Sequence, residues 1–215
     1  MKNVLLYVWA VLGILSLPIM NAQISSDVKI GTQVWMSKNL DISTYRNGDP
    51  IRYASSASEW LDASNKEEGA WCYYNNDPKN GKKYGKLYNW YAVNDSRGLA
   101  PIGYHVPSDD EWITLVDFLG GENIACKRMK SKKGWIRGGN GDNRSGFNGL
   151  PGGGCYYNGI FDSIGEDSEW WSSSEFYEAS DGRNAWKRSL NYDNSQVQRY
   201  PNYLYYGFSV RCLKD

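Results

Sequence analysis

Two tryptophans stand side by side at positions 170 and 171, inside a run over residues 169–173 that reads as a β-strand. Successive side chains of a strand point to opposite faces, so Trp170 and Trp171 cannot enter the same core. A fold that contains this strand must cover its second face with a loop, or leave a large ring at the surface. The chain has rings to spare, with 10 Trp and 17 Tyr among 215 residues. Around the pair come Arg183, Asn184, Trp186, Tyr192, Asn194 and Arg199, then Tyr200, Tyr203 and Tyr205. Flat rings stack on the apolar faces of sugars and anchor protein interfaces, while Asn and Arg hydrogen-bond hydroxyls. These eleven residues are the candidate ligand-binding surface. Aromatic core packing under a loop cover is the competing account of the same rings.

The pattern around this strand is that of an α+β domain with an antiparallel sheet. Val28-Lys29-Ile30 and Gln33-Val34-Trp35 flank Gly31-Thr32 as a tight hairpin. Residues 59–61 read as a helical turn, 70–74 as a strand, 78–81 as a turn and 87–93 as a short helix. The strongest local signal is Ser108-Asp109-Asp110-Glu111, which has the capping-box spacing; with Trp112, Leu115, Val116 and Leu119 in a stripe and Gly120-Gly121 as a stop, it predicts a helix over 109–119. Two or three short helices are therefore expected in the N-terminal half. Beyond Gly138, short strands alternate with turns over 169–173, 185–192, 196–200 and 206–213. In the third of these four runs' predecessor, Trp186, Leu190 and Tyr192 share a face with Arg188 as the odd member.

Residues 1–22 read as a removable signal peptide: a basic start at Lys2, an apolar run from Val4 to Met20, and Ala22 at a small-residue cleavage point. No cysteine follows that run, which argues against a lipid anchor, and Pro18 weakens it as a membrane span. Residues 23–215 are then one exported domain, secreted or held at the cell surface, with no stable membrane span after cleavage. Lysine plus arginine and aspartate plus glutamate each number 24, and this balance argues against nucleic acid as a partner. Cys72, Cys126, Cys155 and Cys212 form an even set without a C-x-x-C pair. In an exported chain this suggests two disulfides in one of three connectivities, and it argues against zinc.

Ile30-Gly31-Thr32-Gln33-Val34-Trp35-Met36 with Asn39-Leu40 opens an ordered series of motifs. Leu87-Tyr88-Asn89-Trp90, residues 103–108 with Glu111-Trp112, and Leu150-Pro151-Gly152-Gly153 follow. Trp170-Trp171-Ser172-Ser173 and Gly207-Phe208-Ser209-Val210-Arg211-Cys212 complete it. Over residues 27–215 this series resembles the Fibrobacter succinogenes major paralogous domain family. The resemblance implies an exported or envelope protein of the kind found in Bacteroidetes and Fibrobacteres, and implies no reaction. The order of elements is also similar, more distantly, to the C-type-lectin-like fold of the formylglycine-generating-enzyme branch. The closely spaced reactive cysteines of that branch and the calcium motifs of sugar-binding lectins are not in this chain. Against the family pattern, Cys126 and Cys155 are both unusual, so the resemblance implies Cys126–Cys155 and Cys72–Cys212 as the bridges.

No catalytic set stands out. His105 precedes a helix cap, where packing accounts for it. Asp109, Asp110 and Glu111 suit the helix start. Asp162, Glu166, Asp167 and Glu169 read as a solvated acidic loop, and residues 138–146 as a flexible turn rather than a calcium loop. Lys127, Arg128, Lys130, Lys132, Lys133 and Arg137 surround Trp135 as a basic, solvated face. No cofactor is expected, with calcium the one considered. The expected role is an exported, non-enzymatic module that recognises glycan or a cell-surface protein. The alternatives are a structural envelope or fibre-tip component and a polysaccharide-active or modifying enzyme.

Overall fold

A computed structural model describes residues 27–177 and 182–215; the leader expected over residues 1–22 lies outside the described residues. β1 (Asp27–Ile30) and β2 (Gln33–Met36) pair antiparallel across Gly31, whose φ of 64° suits a residue without Cβ. Next come β3 (Arg52–Tyr53), α1 (Ala57–Asn65), β4 (Ala70–Cys72), α2 (Pro78–Tyr84), β5 (Leu87–Tyr88) and α3 (Trp90–Val93). The turn expected at Pro78 is a helix start: Asp77 accepts from the Lys79 N–H, and proline takes the first position. The helix expected over 87–93 is divided at Asn89. Its side chain accepts from the backbone N–H groups of both Ala70 and Ala92, so it ends β5 and caps α3.

β6 (Tyr104–His105) leads into α4 (Asp109–Phe118), where both hydrogen bonds of the Ser108–Glu111 capping box are made. α5 (Glu122–Met129) follows at once. The described residues thus hold five α-helices, all between 57 and 129, where two or three were expected. The expected basic face is also revised. Its Lys130 is buried, donates to the carbonyls of Asn191 and Asn194, and lies over Trp135.

The C-terminal half builds β7 (Gly152–Cys155), β8 (Phe161–Ile164), β9 (Asp167–Tyr177), β10 (Arg183–Asn191) and β11 (Gln198–Tyr203) into one sheet of order β11-β10-β9-β7-β8. Its pairings are antiparallel except for β7 with β9. β9 runs for 11 residues and β10 for 9, longer than the short strands expected. The expected strand over 206–213 is mostly single bridges. Only β12 (Leu213–Lys214) is a strand, and it lies between β2 and β6. A third sheet has the order β3-β4-β5.

The tryptophan pair explains the layering. Trp170 packs with Trp35, Trp112, Phe147 and Leu190, whereas Trp171 packs with Tyr88, Phe208 and Val210. Both indoles are fully buried, so neither ring reaches the surface, which corrects their assignment as ligand-stacking residues. Each N–H finds an acceptor within 2.9 Å, Asn39 Oδ1 for Trp170 and the Tyr88 carbonyl for Trp171. Burying two such rings on opposite faces contributes on the order of 5 kcal/mol each before entropy is counted. β9 is therefore a central partition with a core on either side.

Candidate functional site

Asp167 and Glu169 lie two residues apart on β9 and so share the side of the sheet that carries Trp171. Cross-strand register sets Asn191 opposite Asp167, Ser189 opposite Glu169 and Lys187 opposite Trp171. The Asn191 amide donates to Asp167, and the Lys187 ammonium meets the Glu169 carboxylate. Lys187 also sits 5.0 Å from the centre of the Phe208 ring. Asp167 and Glu169 line a cavity of about 160 Å³. Gly154 and Cys155 of β7, Asp162 and Ser163 of β8, and Tyr156, Asn202, Tyr206 and Phe208 complete its lining. Gly154 keeps the floor open. A Cβ there would come within 3.0 Å of Glu169 Oε2 and 3.1 Å of the Phe208 ring.

A tyrosine cluster extends from Tyr156 and Tyr206, which line this cavity. The Tyr203 and Tyr205 rings stack at 5.2 Å and 11°, and Tyr205 and Tyr206 at 5.5 Å and 25°. Tyr156 meets Tyr206 edge-on at 5.3 Å, and Tyr157 meets Tyr205 edge-on at 5.8 Å. Tyr156, Tyr157 and Tyr203 are exposed, as is Tyr200, whose cross-strand partner is Lys187. The Tyr156 hydroxyl donates to Asp162 Oδ2 at 3.2 Å.

Three carboxylates face one ammonium here, so the cavity is acidic. Burial, then the neighbouring Glu169 charge, pushes the Asp167 carboxyl above the usual carboxylate range. Lys187 pairs directly with Glu169 and partly offsets the rise at Asp167. Two carboxyls two residues apart thus sit in different electrostatic surroundings. Chemically, the site offers acceptor oxygens at its base, phenol hydroxyls at its mouth and flat rings beside it.

The structure brings together only part of the expected surface. Tyr203 and Tyr205 stack beside Tyr206, which lines the cavity, and Tyr200 is exposed on β11 opposite Lys187; none of the three is itself a lining residue. Arg199 turns to the other face of the sheet, where it and buried Arg188 grip Asp109: Nη2 of Arg199 lies 2.7 Å from Oδ2, and Nη1 of Arg188 2.6 Å from Oδ1. Burial raises the Asp109 pKa, but these guanidinium groups outweigh it and hold the carboxyl below its usual range. Asp109 thus clamps α4 to β10 and β11. The Arg199 guanidinium also covers Trp186 at 3.4 Å, and Trp186 packs on Phe176. Arg183 pairs with Glu67 and Glu175 at the surface, while Asn184 is buried. Tyr192 packs on the core beside Arg137, and the Asn194 carbonyl receives Lys130 and the Cys126 thiol. None of these six lines the acidic cavity.

The acidic residues of the cavity were expected in a solvated loop. Asp167 and Glu169 are instead half-buried on β9, and Asp162 is on β8. Their alternation with Trp171 at two-residue steps was the signal available in the sequence, and the high charge of the segment obscured it. Tyr156 and Tyr157 were missed because they follow a glycine run that reads as a turn.

Residues expected to be structural do take part in local hydrogen bonding. His105 bridges Glu111 Oε1 at 2.9 Å and Asp215 Oδ1 at 2.8 Å. In the 138–146 loop, Asp142 Oδ1 accepts from the Arg144 N–H and Asn143 Oδ1 from the Asn148 N–H. Among the described residues no group of three or more His, Cys, Asp or Glu side chains could hold a metal ion, and no helix is long and apolar enough to cross a membrane. All four cysteines are buried free thiols. Cys126, Cys155 and Cys212 belong to three different core clusters, so the implied Cys126–Cys155 and Cys72–Cys212 pairings are not the neighbours that this fold creates.

No curated protein and no solved structure matches the chain. The family model of the Fibrobacter succinogenes major domain matches residues 28–214, nearly all of the described structure, and the chain belongs to that family.

Proposed function

We propose that this chain is an exported, non-enzymatic binding module of C-type-lectin-like build that recognises glycan at the cell surface. The observation that carries this reading is the stack of Tyr203, Tyr205 and Tyr206 beside a cavity of carboxylate and amide oxygens. A sugar presents an apolar face and a set of hydroxyls on one molecule. Stacked phenols and fixed acceptors suit those two features together. A glycan array with the purified chain, run beside a pulldown from envelope material, tests the reading. Array signals that vanish on Tyr205→Ala support it. Silence on the array with a specific envelope protein captured moves the role to protein recognition. Silence in both, with folded protein, removes the binding module and leaves the structural envelope component, for which light scattering reads self-association.

One observation favours an enzyme as the second reading. Burial and the neighbouring Glu169 charge hold Asp167 towards its protonated form, and a carboxyl so held beside a second carboxylate suits a general acid. Release of reducing ends from polysaccharide, abolished by Asp167→Asn and Glu169→Gln separately, would establish it.

A further inference from the structure

Cys72 closes β4 and Cys155 closes β7, two strands of different sheets that are far apart in sequence. Both thiols are buried in one small core with Trp60, Ala63, Tyr74 and Leu87. The two side chains are neighbours in that core, and the Cys155 Sγ lies 3.5 Å from the Tyr156 carbonyl oxygen. The backbone holds both in place. Cys72 pairs in register with Leu87. Cys155 exchanges two hydrogen bonds with Gly207, at 2.9 Å and 2.8 Å, and a Cβ at Gly207 would come within 3.0 Å of the Cys155 Cβ. The remaining two thiols are not competitors. Cys126 points to the Asn194 carbonyl in the second core, and Cys212 lies in the first core.

We propose that Cys72 and Cys155 are a disulfide-forming pair, and that its closure ties the wall of the acidic cavity to the three-stranded sheet. The inference does not depend on what the cavity binds. Cys155 and its neighbours Gly154 and Tyr156 line the cavity, so the bond would fix that wall from behind. The chemistry needs a disulfide oxidant such as oxidised glutathione. One cysteine thiolate attacks a glutathione sulfur and expels a glutathione thiolate. The second cysteine thiolate then attacks the mixed disulfide and expels the other. Two cysteine thiols are oxidised to one S–S bond, two protons are released to solvent and taken up by the departing thiolates, and one glutathione disulfide is reduced to two glutathiones. Burial pushes the Cys72 thiol pKa well up, so little thiolate forms in the finished core. Closure therefore accompanies folding rather than following it.

The test is to unfold the full chain, refold it in a glutathione redox buffer, and map its peptides without reduction. The expected product is a Cys72–Cys155 cross-linked peptide, with Cys126 and Cys212 alkylatable after denaturation. Four alkylatable thiols, or a bridge joining Cys72 or Cys155 to any other cysteine, would overturn the proposal. The Cys126→Ser/Cys212→Ser double variant leaves the pair alone and guards against misfolding of single variants at the pair itself. Its melting temperature should be higher oxidised than reduced by roughly 5–15 °C. Equal melting temperatures in both states, with no cross-link, would also overturn it.

Discussion

Arg211 and Asn39 meet across 172 positions of sequence, with the guanidinium Nη2 and Nε donating to the same Asn39 Oδ1 at 2.6 and 3.0 Å. That oxygen also accepts the Trp170 indole, and the Asn39 amide donates to the Tyr84 carbonyl and the Ser209 hydroxyl. The other Arg211 nitrogen, Nη1, donates to the carbonyls of Met36 and Phe147. Burial lowers the Arg211 pKa to about 9, which still leaves it charged at neutral pH. No carboxylate pairs with it among the described residues. Carbonyl dipoles and the Phe147 ring face stabilise the charge instead.

Asn39→Ala removes the central acceptor and leaves part of a buried guanidinium and one indole N–H unsatisfied. The expected loss is about 2–4 kcal/mol. Urea unfolding checks it: the midpoint should fall with an unchanged slope, and a loss below about 0.5 kcal/mol would refute the role.

His105 gives the fold a signed pH response. Burial lowers its pKa, but Asp215 and Glu111 outweigh that and raise it above its usual value. A raised folded-state pKa means that the pair stabilises fully below about 6.5 and is lost as pH rises through the higher folded value. Glu111 has the opposite sign. Burial raises its pKa, but the Ser108 backbone and His105 outweigh this and lower it, so its contribution fades as acid protonates it. Melting temperature against pH should fall less steeply above 6.5 in His105→Gln than in the parent.

Asp167 works against stability at neutral pH. Its folded pKa is raised, so the native state binds more protons, and stability declines as pH rises through the window above its unfolded value near 3.9. Asp167→Asn should raise the melting temperature at pH 7 and have little effect at pH 3. The same variant should weaken ligand binding, and a gain in both properties would remove Asp167 from the site.

The rim and the floor separate by mutation. Tyr205→Ala unstacks two tyrosines at the surface, and should weaken glycan binding about tenfold while leaving the urea midpoint nearly unchanged. Gly154→Ala fills the floor against Glu169 and Phe208, and should cost about 1–3 kcal/mol as well as binding. Calorimetric titration with any array-positive glycan distinguishes the two. Full binding by both variants would dismiss the cavity.

The parts of the fold that were legible in sequence are those set by local chemistry. The hairpin at Gly31 and the capping box at Ser108 each need only neighbours a few residues away. The family motifs were legible for a different reason: Asn39, Trp170 and Arg211 form one buried network, so their order in the chain records a single long-range lock. The cavity was harder to read. Asp167 lies on β9 just ahead of the strand that the sequence marks from Glu169, in a segment whose charge reads as a loop, and the tyrosines come from two segments separated by 46 positions or more. The aromatic surplus drew attention to the half of the chain that holds this cavity. It did not reveal that Trp170, Trp171 and Trp186 serve packing while Tyr156, Tyr157 and Tyr206 stand at the opening.

The position of β12 has a temporal consequence. It supplies the strand between β2 and β6, and the Cys212 carbonyl receives the Met36 N–H at 3.0 Å. A ribosome that has released residues 27–105 has made three strands of this sheet, β1, β2 and β6, without the one that joins β2 to β6. Completion of the amino-terminal sheet therefore waits for residues 211–214, and β2 and β6 stay unjoined until that distant segment has been made.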